Sequence, residues 1–216
     1  MKKKFLSLMM AAAVVATTSV SAFAQDYNVI ENADNTSPIT KVQITGSVTN
    51  QSGQMPESTF KVTVPTTATF SVNKNGGFTA PDLTVKNEGS QKVDVYAYSF
   101  KDDTNGESIN ILSPDDFDSE AVDSRKRSDV KITLRGNSGE EVHLSSTDTE
   151  KQGVNSASDF SEARGENGFK LLQLEASTDG TAKSGTITLD GRAGTGTTPE
   201  AVSDTFVLTL KITKGK

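Results

Sequence analysis

The sequence predicts an all-β protein, an antiparallel β-sandwich with one or two short helices in its loops, and three observations carry that prediction. Apolar residues alternate with polar ones at period two in segment after segment, with Val, Ile and Thr frequent among them. Gly, Asn and Pro cluster between the alternating segments, where turns belong. Helical periodicity is nearly absent.

The elements follow in order. Val42, Ile44, Gly46 and Val48 alternate with Lys41, Gln43, Thr45 and Ser47, and Asn50 to Gly53 supply a turn. Phe60, Val62 and Val64 make the next strand, which Pro65 ends because proline cannot donate to a ladder. Phe70 and Val72 lead into Asn73-Lys74-Asn75-Gly76-Gly77, the strongest turn signal in the chain. Leu83 and Val85 form a short strand closed by Asn87-Glu88-Gly89. From Lys92 to Phe100 both faces carry bulk, with Val93, Val95, Ala97 and Ser99 on one and Asp94, Tyr96, Tyr98 and Phe100 on the other. That pattern predicts a central strand covered on both sides.

Further strands are expected at Val130–Leu134, Val142–Leu144, Phe169–Ala176, Gly185–Asp190 and, most clearly, Phe206–Ile212. Ser113-Pro114-Asp115-Asp116 has an N-cap serine, proline at the first helical position and acids in the first turn, which predicts a short helix. Asp159-Phe160-Ser161-Glu162 has the spacing of a capping box and predicts one helical turn inside the polar stretch Ser145–Gly168. Gly191 to Ser203 reads as a mobile loop. No repeat and no linker separates self-sufficient sets of strands, so one domain is expected.

The first residues speak to compartment. Lys2, Lys3 and Lys4 precede an apolar run from Phe5 to Val15, and Ala22-Phe23-Ala24 stands before Gln25. This is the order of a secretory signal peptide, with cleavage expected between Ala24 and Gln25. Thr17, Thr18, Ser19 and Ser21 break the apolar stretch, which argues against a membrane span. Removing 24 of the 216 residues leaves 192 and takes three lysines away, so the net charge moves from −6 to about −9. An acidic surface of this kind argues against nucleic acid and against anionic lipid as partners. There is no cysteine, so no disulfide supports the secreted fold. The chain ends at Lys214-Gly215-Lys216 without an LPxTG-type signal or a second apolar run, which leaves release, non-covalent retention or polymerisation.

Residues suited to chemistry are few, and no enzyme activity, cofactor or metal is expected. The single His143 lies between Val142 and Leu144 and is expected to face solvent; one histidine cannot supply an H-E-x-x-H zinc pair. No G-x-S-x-G is present. Asp102-Asp103-Thr104-Asn105-Gly106-Glu107 and Asp115-Asp116-Phe117-Asp118 bring together oxygen ligands of the type calcium takes. Asp and Asn are equally the residues that turns use for their own backbone bonds, and neither run matches a calcium loop. Arg125-Lys126-Arg127, flanked by Asp123 and Asp129, reads as a solvated loop. Tyr96 and Tyr98 read as core packing rather than a carbohydrate platform.

The segment Gln25–Pro38 stands apart. It is polar overall yet carries Tyr27 and Val29 at period-two spacing, with Ile30 beside them. A frayed tail is one reading. The other is a donor strand that adds to the edge of a second subunit and drops Tyr27 and Val29 into an open groove of its core, so that polymerisation covers an exposed sheet edge. The chain then divides into a signal peptide (1–24), a donor segment (25–38) and a sandwich domain (39–216).

The block Val62-Thr63-Val64-Pro65-Thr66-Thr67-Ala68-Thr69-Phe70-Ser71-Val72-Asn73, then Asn75-Gly76-Gly77, Ala80-Pro81-Asp82-Leu83-Thr84-Val85-Lys86-Asn87 and Lys92-Val93-Asp94-Val95, resembles a block of secreted Firmicutes surface proteins. With the leader and the Phe206–Ile212 ending, the chain looks like the biofilm-matrix pilus subunits of clostridia, which group with the TasA/camelysin-like secreted family. The resemblance implies a jelly-roll-like sandwich, a homopolymer built by donor-strand exchange, a place in the extracellular matrix or at the cell surface, and an accessory or anchoring surface protein as a further partner. Some Gram-positive fibres of this kind carry isopeptide bonds, for which Lys211 and Lys214 are the candidate lysines here. Camelysin has been described as a metalloprotease; with no zinc motif in this chain, protease ranks last, behind fibre subunit and monomeric adhesin.

Overall fold

The structure, a computed structural model, describes residues 27–32, 39–40, 60–103, 109–197 and 202–216. The expected signal peptide with its Ala24–Gln25 junction, the strand at Val42–Val48, the turn after it and residues 104–107 of the first acidic run lie outside the described residues. In chain order the strands are β1 (Tyr27–Asn32), β2 (Ile39–Thr40), β3 (Phe60–Pro65), β4 (Ser71–Val72), β5 (Phe78–Thr79), β6 (Leu83–Asn87) and β7 (Val93–Asp102). There follow β8 (Asn110–Ile111), the helix α1 (Pro114–Asp118), β9 (Asp129–Arg135), β10 (Glu141–Leu144), β11 (Val154–Asn155), β12 (Phe169–Leu174), β13 (Lys183–Ala193) and β14 (Phe206–Lys214).

The strands form the antiparallel sandwich that the alternation predicts. One sheet runs β1-β3-β6-β13-β9-β10-β11, with β8 added parallel to the start of β9; the other runs β12-β7-β14-β2. Phe60, Val62 and Val64 of β3, Leu83 and Val85 of β6, and Val130, Ile132 and Leu134 of β9 are buried while their neighbours are not, the signature of one wet and one dry face. Val93, Val95 and Ala97 of β7 and Leu210 and Ile212 of β14 meet them from the other sheet in a single core.

β7 is central, as expected, lying between β12 and β14. One assignment on it changes. Opposite β14 the register steps from Ser99 paired with Thr209 to Ala97 paired with Leu210, leaving Tyr98 as an extra residue. An extra residue flips the face of everything beyond it, so Phe100 joins Val93, Val95 and Ala97 in the core instead of facing away from them. A second step in the β12–β7 ladder, between Lys170 and Leu172, lets the consecutive Leu171 and Leu172 both be buried.

The turns are built by side chains. In the β4–β5 hairpin, Asn73 Oδ1 accepts from the amides of Asn75 at 2.8 Å and Gly77 at 3.0 Å, and Gly76 takes the left-handed conformation at φ 75°. Asn87, fully buried, donates from Nδ2 to the carbonyls of Gln91 (2.7 Å) and Glu175 (2.8 Å) and accepts from Gly89 N. Helix α1 starts where its signals place it, with Ser113 Oγ accepting from Asp116 N. At Asp159–Glu162 the expected helical turn is replaced by an Asx turn: Asp159 Oδ1 takes both the amide and the hydroxyl of Ser161, Phe160 is buried with φ 57°, and no capping box closes. Of the loop expected from Gly191 to Ser203, residues 198–201 lie outside the described residues, and the first part is not free. β13 runs on to Ala193, and Gly194, Thr195 and Gly196 donate to Asp129, Val122 and Arg125.

Candidate functional site

The first described residues supply an outermost strand to each of the two sheets. β1 is the outermost strand of the large sheet and pairs antiparallel with β3 over six positions, Tyr27 opposite Pro65 through Asn32 opposite Phe60. β2 is the outermost strand of the small sheet, with Ile39 opposite Lys211 and Thr40 opposite Leu210. The period-two spacing of Tyr27 and Val29 thus does mark a strand. The register adds what alternation does not contain: Ile30 stands opposite the buried Val62, whereas Tyr27 and Val29 stand opposite Pro65 and Thr63, which are only half-buried. Gln25, Asp26 and residues 33–38 of the expected donor segment lie outside the described residues.

Between the sheets runs a groove of about 1570 Å³. Leu83, Val130, Ile132, Leu134 and Leu189 line it from the large sheet; Phe100, Phe206, Leu208 and Leu210 line it from the small one. Phe78, Phe70, Phe206 and Phe100 form a chain of stacked rings beside it, with centroids 5.3, 6.3 and 5.4 Å apart. Lys74, Lys101, Arg127, Asp103, Asp148 and Asp204 put both signs of charge among its lining. A mixed rim over an apolar floor suits a peptide segment with alternating side chains better than a highly charged small molecule.

The other residues singled out by the sequence fall into structural roles. His143 does not face solvent: β11 lies alongside it, Asn155 is its cross-strand neighbour, and Thr133 Oγ1 sits 3.3 Å from Nδ1. Burial holds its pKa below the ordinary value, partly offset by Glu141. Arg125 is not solvated either. It is buried, donates from Nε to Phe117 O and from Nη2 to Asp116 O and to Ser119 Oγ at 2.9 Å, and lies over the Phe117 ring. It therefore caps the carbonyl end of α1, a place where a cation also meets the helix dipole favourably. Nothing in the triplet distinguishes it from Lys126, which is exposed.

The acids of α1 are engaged in the same local frame. The Asp116 carboxylate accepts from Ser113 Oγ, that of Asp115 from Ser158 Oγ, and Asp118 pairs with Lys131 at 2.7 Å. Among the described residues no three metal-ligating side chains gather. Tyr98, read as core, lies instead on the opposite face of β7 from the core, with the Arg164 guanidinium 4.0 Å from its ring centroid and Lys211 Nζ 5.6 Å away. Lys211 is buried and donates to the Glu166 carbonyl; Lys214 is exposed at the end of β14, opposite Val93. On the same outer face Asp94 is buried, and Lys170 at 2.8 Å and Gln173 at 2.9 Å satisfy it.

Among the described residues no helix is long and apolar enough to cross a membrane. Comparison with protein families, with curated proteins and with solved structures finds no match to this chain.

Proposed function

We propose that this chain is a secreted structural subunit of an extracellular biofilm-matrix fibre, and that it polymerises by exchanging its N-terminal strand between copies. The observation that carries the reading is the position of β1. It is an edge strand, held to the sheet through a single ladder with β3. An edge strand bonded through main-chain groups can be supplied by another copy at little cost, and a filled edge is also protection against unspecific pairing. The resemblance of the Val62–Val95 block to TasA/camelysin-like proteins supports the same reading.

Removal of residues 25–38 tests it. The shortened protein is expected to keep its β-sheet circular dichroism and a cooperative unfolding transition but to form no fibres on negative-stain micrographs. Fibres from the shortened protein refute the donor assignment.

A second reading has its own observation. The groove and its row of phenylalanines suit a monomeric adhesin that holds an extended ligand between its sheets. Size-exclusion chromatography after long incubation at high concentration separates the two readings, since an adhesin stays monomeric.

A further inference from the structure

We propose that the β9–β10 loop is a plug on the outer edge of β12, and that it keeps the small sheet from adding a strand of a second copy. The inference goes beyond the fibre reading and does not depend on it.

β12 is the outermost strand of the small sheet and pairs with β7 on one side. An open edge of this kind is a row of amides and carbonyls that invites another strand. The sequence of β12 makes the invitation strong. Phe169, Leu171, Leu172 and Leu174 give it apolar bulk, no proline or glycine interrupts it, and Lys170 is its one charge. Such a short run of strand-forming residues with low net charge is the signature of segments that stack edge to edge. Lysines often guard an edge by keeping a charge in solvent, but Lys170 is engaged by Asp94 at 2.8 Å.

The edge is nevertheless occupied, and not by a strand. Residues 136–140 join β9 to β10 and lean onto β12. Asn137 donates from Nδ2 to the Gln173 carbonyl and accepts at Oδ1 from the Gln173 amide, both at 2.9 Å. These are the two bonds that a directly opposed residue of an antiparallel strand would make, supplied by one side chain. Ser138 donates its amide to the Leu171 carbonyl at 3.2 Å and its hydroxyl to the Lys170 carbonyl at 2.7 Å. Further along, the Glu175 carbonyl takes Asn87 Nδ2 at 2.8 Å, from the end of β6. Gly136 allows the approach: a Cβ there would stand 1.9 Å from the Leu171 carbonyl oxygen. The groups that an added strand would bond are thus already paired.

The occupant excluded is a second copy. Two bare β12 edges are complementary to each other about a twofold axis, each strand running antiparallel to its partner.

Asn137→Ala, alone and with Ser138→Ala, tests the proposal by hydrogen exchange and light scattering on the whole protein. In the single variant the Gln173 amide is expected to exchange about ten-fold faster or more, while amides of the central strand β14 keep their wild-type rates and show the fold intact. The double variant is expected to form dimers and larger species at about a tenth or less of the concentration that wild type requires. In that associated fraction the Gln173 amide is expected to be slow again, because a strand of the second copy has taken the place of Asn137. Where the double variant loosens β14 as well, Asn137→Ala is read for association instead.

An unchanged Gln173 rate in Asn137→Ala overturns the plug. Faster exchange with wild-type association overturns its protective role. Association that leaves the Gln173 amide fast overturns β12 as the surface on which the copies meet.

Discussion

Replacing Arg125 by alanine separates a buried cap from the solvated loop that the basic triplet suggests. The side chain is buried, and its guanidinium serves two main-chain carbonyls at the end of α1 and one hydroxyl, Ser119 Oγ. A hydrogen bond from a charged donor contributes about 1.5–3 kcal/mol, and bonds sharing one guanidinium do not add independently. With the two carbonyls left under-satisfied and the stacking on Phe117 lost, Arg125→Ala is expected to cost about 3 kcal/mol. For a domain of this size that is a fall in Tm of about 6–12 °C, at about 2–4 °C per kcal/mol. Urea unfolding followed by circular dichroism measures it, with Lys126→Ala as the comparator in the same triplet. Exposed Lys126 is expected to stay within about 0.5 kcal/mol of wild type. Arg125→Lys keeps the charge but reaches only one carbonyl at a time, so it should recover a minor part of the loss. Equal unfolding midpoints for Arg125→Ala and Lys126→Ala would refute the capping role.

Three further substitutions test other parts of the frame. Asn87→Asp should be worse than Asn87→Ala, at neutral pH by about 1 kcal/mol or more, because a buried carboxylate would face the carbonyls of Gln91 and Glu175 that the amide now satisfies; chemical denaturation of the pair decides. Gly168 has φ 86° and a Cβ there would stand 2.1 Å from the Ala97 carbonyl, whereas Gly180 at φ 76° opens on empty space, so Gly168→Ala should cost about 2 kcal/mol more than Gly180→Ala in the same measurement. His143 has its folded pKa lowered, so the unfolded chain binds the proton first as pH falls; stability is full above about 6.5 and declines from there towards the folded value. His143→Gln should flatten the stability profile between about pH 7.5 and 5.5, and an unchanged slope would place the titration elsewhere.

The strands legible from alternation were those with one wet face. β3, β6 and β9 announce themselves because Phe60, Leu83 and Val130 each sit two residues from the next buried side chain. Alternation puts Phe100 on the outer face because it carries no mark of the one-residue bulge at Tyr98, where period two breaks. β8 and β11 have two residues each, too few for a period, and β11 is what covers His143. Arg125 shows the general limit. Whether a cation in a polar run is solvated or caps a helix depends on where the run passes in space, and Arg125 meets α1 only after the chain has turned at Ala121 and Ser124. The N-terminal edge was legible as a strand and not as a pairing, since an edge strand carries no information about the row of carbonyls and amides it will meet.

The thermodynamics of the proposed exchange follow from the way β3 is held. Without β1 its ladder to the sheet is short, with Val62 and Thr63 as the paired positions among the described residues, so an unoccupied edge leaves Phe60 and Val64 supported by core packing on one side only. A vacated subunit is therefore the high-energy species, and any strand that refills the edge relieves it. Yet the ladder regained in a neighbour equals the ladder given up within the chain, and equal ladders shift no equilibrium. The net drive towards a polymer has to come from contacts that exist between copies and not within one: apolar surface such as the phenylalanine-lined groove when a neighbour covers it. On this argument substitutions in the β1–β3 ladder change how fast subunits enter the fibre, while substitutions in the groove change how much fibre there is at equilibrium. Measured separately, as assembly rate and as critical concentration, the two classes should not cross over.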